Sequence, residues 1–138
     1  MRPVILLFGL LGCTVTTHKG GDSGGDTSLV TGTFTHINQN TFQKSCAFST
    51  CHGSASSAGS GGLSLAEDSA YDNLVNVPSV GDPSQIRVVP GDADSSYIIK
   101  KLTGASDITG DPMPSGGELP DDQITEIKDW INAGALDN

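Results

Sequence analysis

The sequence predicts an all-α fold of about four short helices joined by long loops. Four stretches carry apolar residues at helical spacing, and each is bounded by a starting or stopping signal. The stretches between them contain many of the 18 Gly and 7 Pro of the chain, which are typical of turns. No stretch alternates between apolar and polar residues as a half-buried strand would. With 138 residues, the chain is expected to fold as one domain.

The first two predicted helices lie in the first half of the chain. The first covers about residues 36–45, where Ile37, Thr41 and Phe42 share one face. The second is predicted to begin at Ser64, because the sequence Ser-Leu-Ala-Glu at 64–67 is a capping box. It is expected to end before Pro78, since a proline restricts the residue that precedes it.

The last two predicted helices also combine an apolar face with a starting or stopping signal. The third starts near Asp94, presents Ile98, Ile99 and Leu102 on one face, and stops at Gly104, a typical C-cap. The fourth follows Pro120, which suits a helix start. The apolar stripe of this fourth helix consists of Ile124, Ile127 and Ile131, joined by Trp130, and Gly134 terminates it.

The first 30 residues are expected to lie outside this domain. Residues 1–12 combine a basic start with a short apolar run and resemble a lipoprotein signal peptide, because the run ends in Leu-Leu-Gly before Cys13. Lipid on Cys13 would anchor the chain to a membrane outside the cytoplasm. Residues 13–30 are rich in Gly, Ser and Thr and predict a flexible tether, in which His18 has no assigned role. The folded domain then covers residues 31–138.

Charge and cysteine count limit the possible functions. The formal net charge of −9 argues against binding nucleic acid and permits steering toward a basic partner. Three cysteines are an odd number for an exported protein. Lipidation of Cys13 leaves Cys46 and Cys51 as a pair.

That pair begins the motif that carries chemistry, Cys-Ala-Phe-Ser-Thr-Cys-His at 46–52. It is a widened form of C-x-x-C-H, the attachment signature of a c-type haem. In that signature the two thiols add to the vinyl groups of the porphyrin and the adjoining His binds the iron, so Cys46, Cys51 and His52 are the candidates for these roles here. Two alternatives stay open for Cys46 and Cys51. They could form a disulfide, or they could join His52 and Met113 in a copper site. A zinc site would need another His or Cys, for which the sequence offers only His36.

The second ligand candidate is Met113. It is the one methionine outside the signal peptide, and methionine is a common sixth ligand in haem electron carriers. Prolines on both sides restrict its loop, so its sulfur could be presented at little entropic cost.

These features together resemble small class I-like cytochrome c domains of exported bacterial proteins. The order is similar: a helix, the Cys46–His52 motif, the Met113 loop and a final helix. The sequences at 87–91 (Arg-Val-Val-Pro-Gly) and 129–135 (Asp-Trp-Ile-Asn-Ala-Gly-Ala) are also similar to that family. The resemblance covers about residues 35–135. It implies haem c, with His52 as the proximal ligand and Met113 as the distal ligand of the iron.

Three other side chains, Arg87, Tyr97 and Trp130, have candidate roles near such a haem. Arg87 and Tyr97 are candidates to bond its propionates, because both can donate hydrogen bonds. Lys100 and Lys101 are expected to form a solvated helix face rather than a docking face. Trp130 is expected to pack against the first helix or against the haem edge.

The expected function is one-electron transfer outside the cytoplasm, with redox proteins as partners and no enzymatic activity. Two alternatives remain. One is a haem-free, disulfide-bonded binding module of similar helical shape. The other is a peroxidase or sensor whose iron has an open position, which requires that Met113 is not a ligand.

Overall fold

Helices provide the regular structure of this protein. The computed structural model describes residues 32–57 and 60–138. Within those ranges the elements are helices, with three isolated β-bridges and no sheet. The prediction of a helical fold without a sheet is therefore confirmed for these residues. The expected signal peptide and tether, with Cys13 and His18, lie outside them.

The first helix, α1, is one continuous helical segment over residues 34–45. It consists of the α-helical stretch Phe34–Ile37, the π-helical stretch Asn38–Phe42 and the α-helical stretch Gln43–Ser45. It begins two residues earlier than predicted, because the Thr33 hydroxyl caps it by accepting a hydrogen bond from the His36 N–H at 3.2 Å.

The second helix, α2, is Ala70–Leu74, so the prediction that it begins at Ser64 was wrong. The Ser64 hydroxyl accepts the N–H of Ala66 at 3.3 Å and makes a local turn instead of a capping box. The next residue, Leu65, donates its N–H to the carbonyl of His52 at 2.7 Å. This long-range bond holds the segment as a loop against the Cys46–His52 motif.

The third and fourth helices match their predicted ends closely. Helix α3 is Tyr97–Thr103 and stops at Gly104, which has φ 65° and ψ 40° as a left-handed C-cap. Its start lies three residues after Asp94. Helix α4 is Asp121–Asn132 and follows Pro120 directly. Local sequence signals were sufficient to predict these two boundaries, because Gly104 ends α3 and Pro120 directly precedes α4.

The core lies where α1 and α4 meet. The ring of Phe34 in α1 lies 5.3 Å from that of Trp130 in α4 and 5.1 Å, edge to face, from that of Tyr71 in α2. The indole N–H of Trp130 donates to the carbonyl of Leu136 at 2.8 Å. Trp130 thus contacts the first helix and the C-terminal tail. Among the described helices, none has both the length and the apolar character that a membrane crossing requires.

Candidate functional site

One pocket collects side chains from three helices and from the loops between them. It holds about 920 Å³ of empty space, including its open mouth. Its apolar wall includes Phe42, Leu65, Leu74, Ile98 and Leu119. Five residues singled out from the sequence also line it, namely Cys46, His52, Arg87, Tyr97 and Met113. The fold therefore brings together groups that are up to 67 positions apart in the sequence.

The 46–52 motif forms a closed turn at the pocket. The N–H of His52 donates to the carbonyl of Cys46 at 3.0 Å, and the N–H of Cys51 donates to that of Phe48 at 2.9 Å. Residues 48–50 are exposed, and the side chain of Phe48 is 53% accessible. The two extra residues of the motif are thus accommodated by an outward bulge, while Cys46 and His52 stay close through their backbones.

The imidazole of His52 is oriented by the loop that follows the motif. Its Nδ1 lies 3.3 Å from the carbonyl oxygen of Leu63. A carbonyl can only accept, so in the neutral ring Nδ1 carries the proton and Nε2 keeps its lone pair. A histidine that ligates a metal commonly donates its other ring N–H in this way. The arrangement leaves Nε2 as a free ligand nitrogen.

The two thiols differ in their surroundings. Burial, with a smaller contribution from the charge of Cys51, raises the pKa of the Cys46 thiol from 9.0 to about 11. Cys51 is half-buried and is not among the residues that line the pocket. Both are free cysteines. At neutral pH Cys46 is therefore a neutral thiol facing an apolar space.

Arg87 places a buried cation at the pocket. Only 7% of its surface is accessible, and its guanidinium donates to the carbonyls of Asn73 at 2.8 Å and Gly62 at 3.3 Å. In the described part of the chain no carboxylate pairs with it. Burial lowers its pKa accordingly. A buried guanidinium without an acidic partner suits an anionic group in the pocket.

Tyr97, at the start of α3, and Met113, in the loop that follows α3, line the same pocket. The hydroxyl of Tyr97 accepts the N–H of Thr109 at 2.8 Å, and its own hydrogen can still donate. The N–H of Met113 donates to the carbonyl of Lys101 at 2.8 Å. The pocket is thus lined by a thiol, an imidazole and a thioether, three groups able to ligate a soft or borderline metal.

The structure does not bring His36 to this pocket. Its Nδ1–H donates instead to the carboxylate of Glu126 at 2.6 Å. Among residues 32–57 and 60–138, no group of three or more His, Cys, Asp and Glu side chains is placed to hold a metal ion. A zinc site made of Cys46, Cys51, His52 and His36 therefore has no support from the geometry.

Two contributions to the site were missed by sequence reasoning. The carbonyl of Leu63 orients His52, and a backbone acceptor carries no sequence signal. Lys101 was expected on a solvated face, but its ammonium donates to the carbonyls of Thr109 and Asp111 in the Met113 loop. The sequence signal that could have predicted this contact is the position of Lys101, a few residues before a loop rich in Gly and Pro.

In comparisons with known proteins, the chain matches no family model, no curated protein and no solved structure.

Proposed function

We propose that this protein is a one-electron carrier that holds a covalently bound haem c in the pocket. Cys46 and Cys51 would attach the haem through thioether bonds, and His52 and Met113 would be its axial ligands. The observation that supports this proposal is the pocket that Cys46, His52 and Met113 line together. Cys46 and His52 belong to one motif, whereas Met113 lies 61 positions after His52 in the sequence and reaches the pocket only through the fold.

The residues present fit the group, with Cys46, His52 and Met113 at the pocket and Cys51 beside it through its neighbour His52. A c-type haem needs a thiol pair with the second cysteine directly before the histidine, and Cys51-His52 has that order. It also needs an apolar wall, which the leucine and isoleucine side chains provide. When bound, haem c supplies an iron that cycles between the ferrous and ferric states.

The chain's own residues would tune that iron. His52 offers Nε2 because its Nδ1 faces the carbonyl of Leu63, which holds the ring in one orientation. The thioether of Met113 and the apolar wall both favour the reduced state and so raise the potential. If His52 and Met113 both held the iron, no ligand position would be left for oxygen or peroxide, which favours a carrier over an enzyme.

Arg87 would bind a propionate of the haem. Its guanidinium is buried and has no acidic partner in the described residues, so an anion would compensate its charge. The hydroxyl hydrogen of Tyr97 is a second available donor, since its oxygen already accepts from Thr109.

The setting proposed for this activity is inferred from the sequence. Lipidated Cys13 and the tether at 13–30 would keep the domain near a membrane outside the cytoplasm, where it would exchange electrons with redox proteins.

Haem staining after denaturation tests the proposal, because thioether bonds survive unfolding. Protein made in cells able to attach haem c is expected to stain, and Cys46→Ser combined with Cys51→Ser is expected to abolish the stain. Ser49→Ala is the matched control, since Ser49 is exposed in the same turn. An unstained wild-type band would reject the electron carrier and favour the haem-free binding module.

The role of Met113 is tested separately. Met113→Ala is expected to change the visible spectrum of both oxidation states and to lower the reduction potential, because a thioether ligand is lost. Ser115→Ala, an exposed position in the same loop, should leave both unchanged. An identical spectrum in Met113→Ala would remove Met113 as a ligand and favour the sensor or peroxidase with an open position.

A further inference from the structure

Lys101 makes hydrogen bonds to the Met113 loop through both its side chain and its backbone. Its ammonium donates to the carbonyl of Thr109 at 3.0 Å and also to the carbonyl of Asp111. Its own backbone carbonyl accepts the N–H of Met113 at 2.8 Å. One residue of α3 thus makes three hydrogen bonds to a stretch of five residues, 109–113.

The loop is wrapped closely around this ammonium. Gly110 has φ +75°, a conformation that favours glycine. A Cβ built on Gly110 would lie 3.9 Å from the Lys101 Nζ. Lysine suits the position because its ammonium has three donors on a long stem. Hydrogen bonds from a charged donor are stronger than neutral ones.

The neighbouring Lys100 provides a contrast. Its ammonium pairs with the carboxylate of Asp107 at 2.7 Å, and the Asp107 side chain is 54% accessible. An exposed pair of this kind contributes little. Lys100 does not line the pocket, whereas Lys101 does. The two adjacent lysines thus have different partners although their side chains are chemically identical.

We propose that Lys101 is a positioning residue that holds the Met113 sulfur toward the pocket, and this inference rests on the proposed function. Lys101 acts through the loop. Its ammonium holds the carbonyls of Thr109 and Asp111 close together, and its own carbonyl, which accepts the N–H of Met113, then fixes the position of the Met113 backbone. Lys101 would thereby keep the thioether available to the proposed iron.

The test compares Lys101→Met with Lys100→Met in the haem-loaded protein. Lys101→Met keeps the length of the stem but removes all three donors. We expect its ferric spectrum to show partial loss of methionine ligation and its reduction potential to fall. We also expect the amide hydrogen of Met113 to exchange at least about tenfold faster. Lys100→Met should change none of these, and Lys101→Arg should restore them in part, since a guanidinium can also donate to both carbonyls.

Three results would overturn this inference. One is a Lys101→Met protein that matches Lys100→Met in spectrum, potential and exchange. Another is loss of the helical circular dichroism in both Lys101→Met and Lys101→Gln, which would make Lys101 a residue of general stability. The third is a pair of results: Lys101→Gln keeps normal Met113 ligation, and Lys101→Arg has the same spectrum, potential and exchange rate as Lys101→Met. Failure of the proposed function would appear differently, as an unstained wild-type protein.

Discussion

At the scale of single residues, Gly53, directly after His52, is packed closely against the backbone of the widened motif. A Cβ added at Gly53 would lie 2.8 Å from the carbonyl oxygen of Ala47 and 2.9 Å from that of Phe48. Both are backbone atoms, so neither can rotate away. The N–H of Gly53 also donates to the carbonyl of Phe48 at 2.9 Å. The absence of a side chain at 53 thus allows the widened motif to close on itself.

Gly53→Ala is therefore expected to destabilise the protein by about 1–3 kcal/mol, the usual cost of overpacking. It is also expected to lower the fraction of chain that carries haem, because the turn must open. Urea unfolding and haem staining measure the two effects.

Gly81→Ala is the matched control for the unfolding measurement. A Cβ at Gly81 meets nothing within 4 Å, and its φ lies outside the left-handed region. Alanine there should be neutral or slightly stabilising. Equal stability of the two variants would contradict the close packing at Gly53.

At the scale of elements, α1 and α4 are connected by a polar contact beside the aromatic core. The carboxylate of Glu126 in α4 accepts from the Nδ1–H of His36 in α1 at 2.6 Å and from the N–H of Gly32 at 3.0 Å. The side chains of His36 and Glu126 are only 24% and 14% accessible. The backbone N–H of Thr35 also donates to the carbonyl of Asn138 at 2.9 Å. The start of α1 is thus held by the final helix and by the C-terminus.

Glu126→Ala is expected to lower the free energy of unfolding by about 1–3 kcal/mol, because two half-buried donors lose a charged acceptor. Asp129→Ala, an exposed position on the same helix, should change it by less than about 0.5 kcal/mol. Chemical denaturation monitored by circular dichroism gives both values. A similar small change in the two variants would mean that water replaces Glu126 without cost.

At the scale of the whole molecule, charge is the dominant feature. The chain has 16 Asp and Glu against 7 Lys and Arg, a formal net charge of −9. The two lysines nearest the Met113 loop are already engaged, Lys100 with Asp107 and Lys101 with loop carbonyls. The protein as a whole should attract cations and repel anions over distances comparable to the Debye length.

Electron exchange with small reagents tests this consequence of the proposed function. Oxidation of the reduced protein by hexaammineruthenium(III), a cation, is expected to slow by roughly tenfold as salt is raised from low to physiological strength. Oxidation by ferricyanide, an anion, should accelerate over the same range. Stopped-flow absorbance measures both rates. If both oxidation rates changed in the same direction with salt, the net charge of the protein would not govern how fast the reagents approach it.

The sequence by itself determined the helical class, the end of α3 and the start of α4, and it named the candidate ligands of the proposed haem. Those helix ends depend on Gly104 and Pro120, whose effects act within one turn. The chemistry of the candidates depends only on side-chain type, so Cys46, His52 and Met113 could be named without coordinates.

The tertiary structure decided which of those groups meet and what holds them. Contacts between distant segments place Met113 on the same pocket as His52, turn residues 64–69 into a loop, and direct Lys101 to its carbonyl partners. Such contacts depend on how helices pack, and backbone acceptors such as Leu63 leave no mark in the sequence. Local patterns could therefore identify the parts of the candidate site, whereas its assembly required the three-dimensional fold.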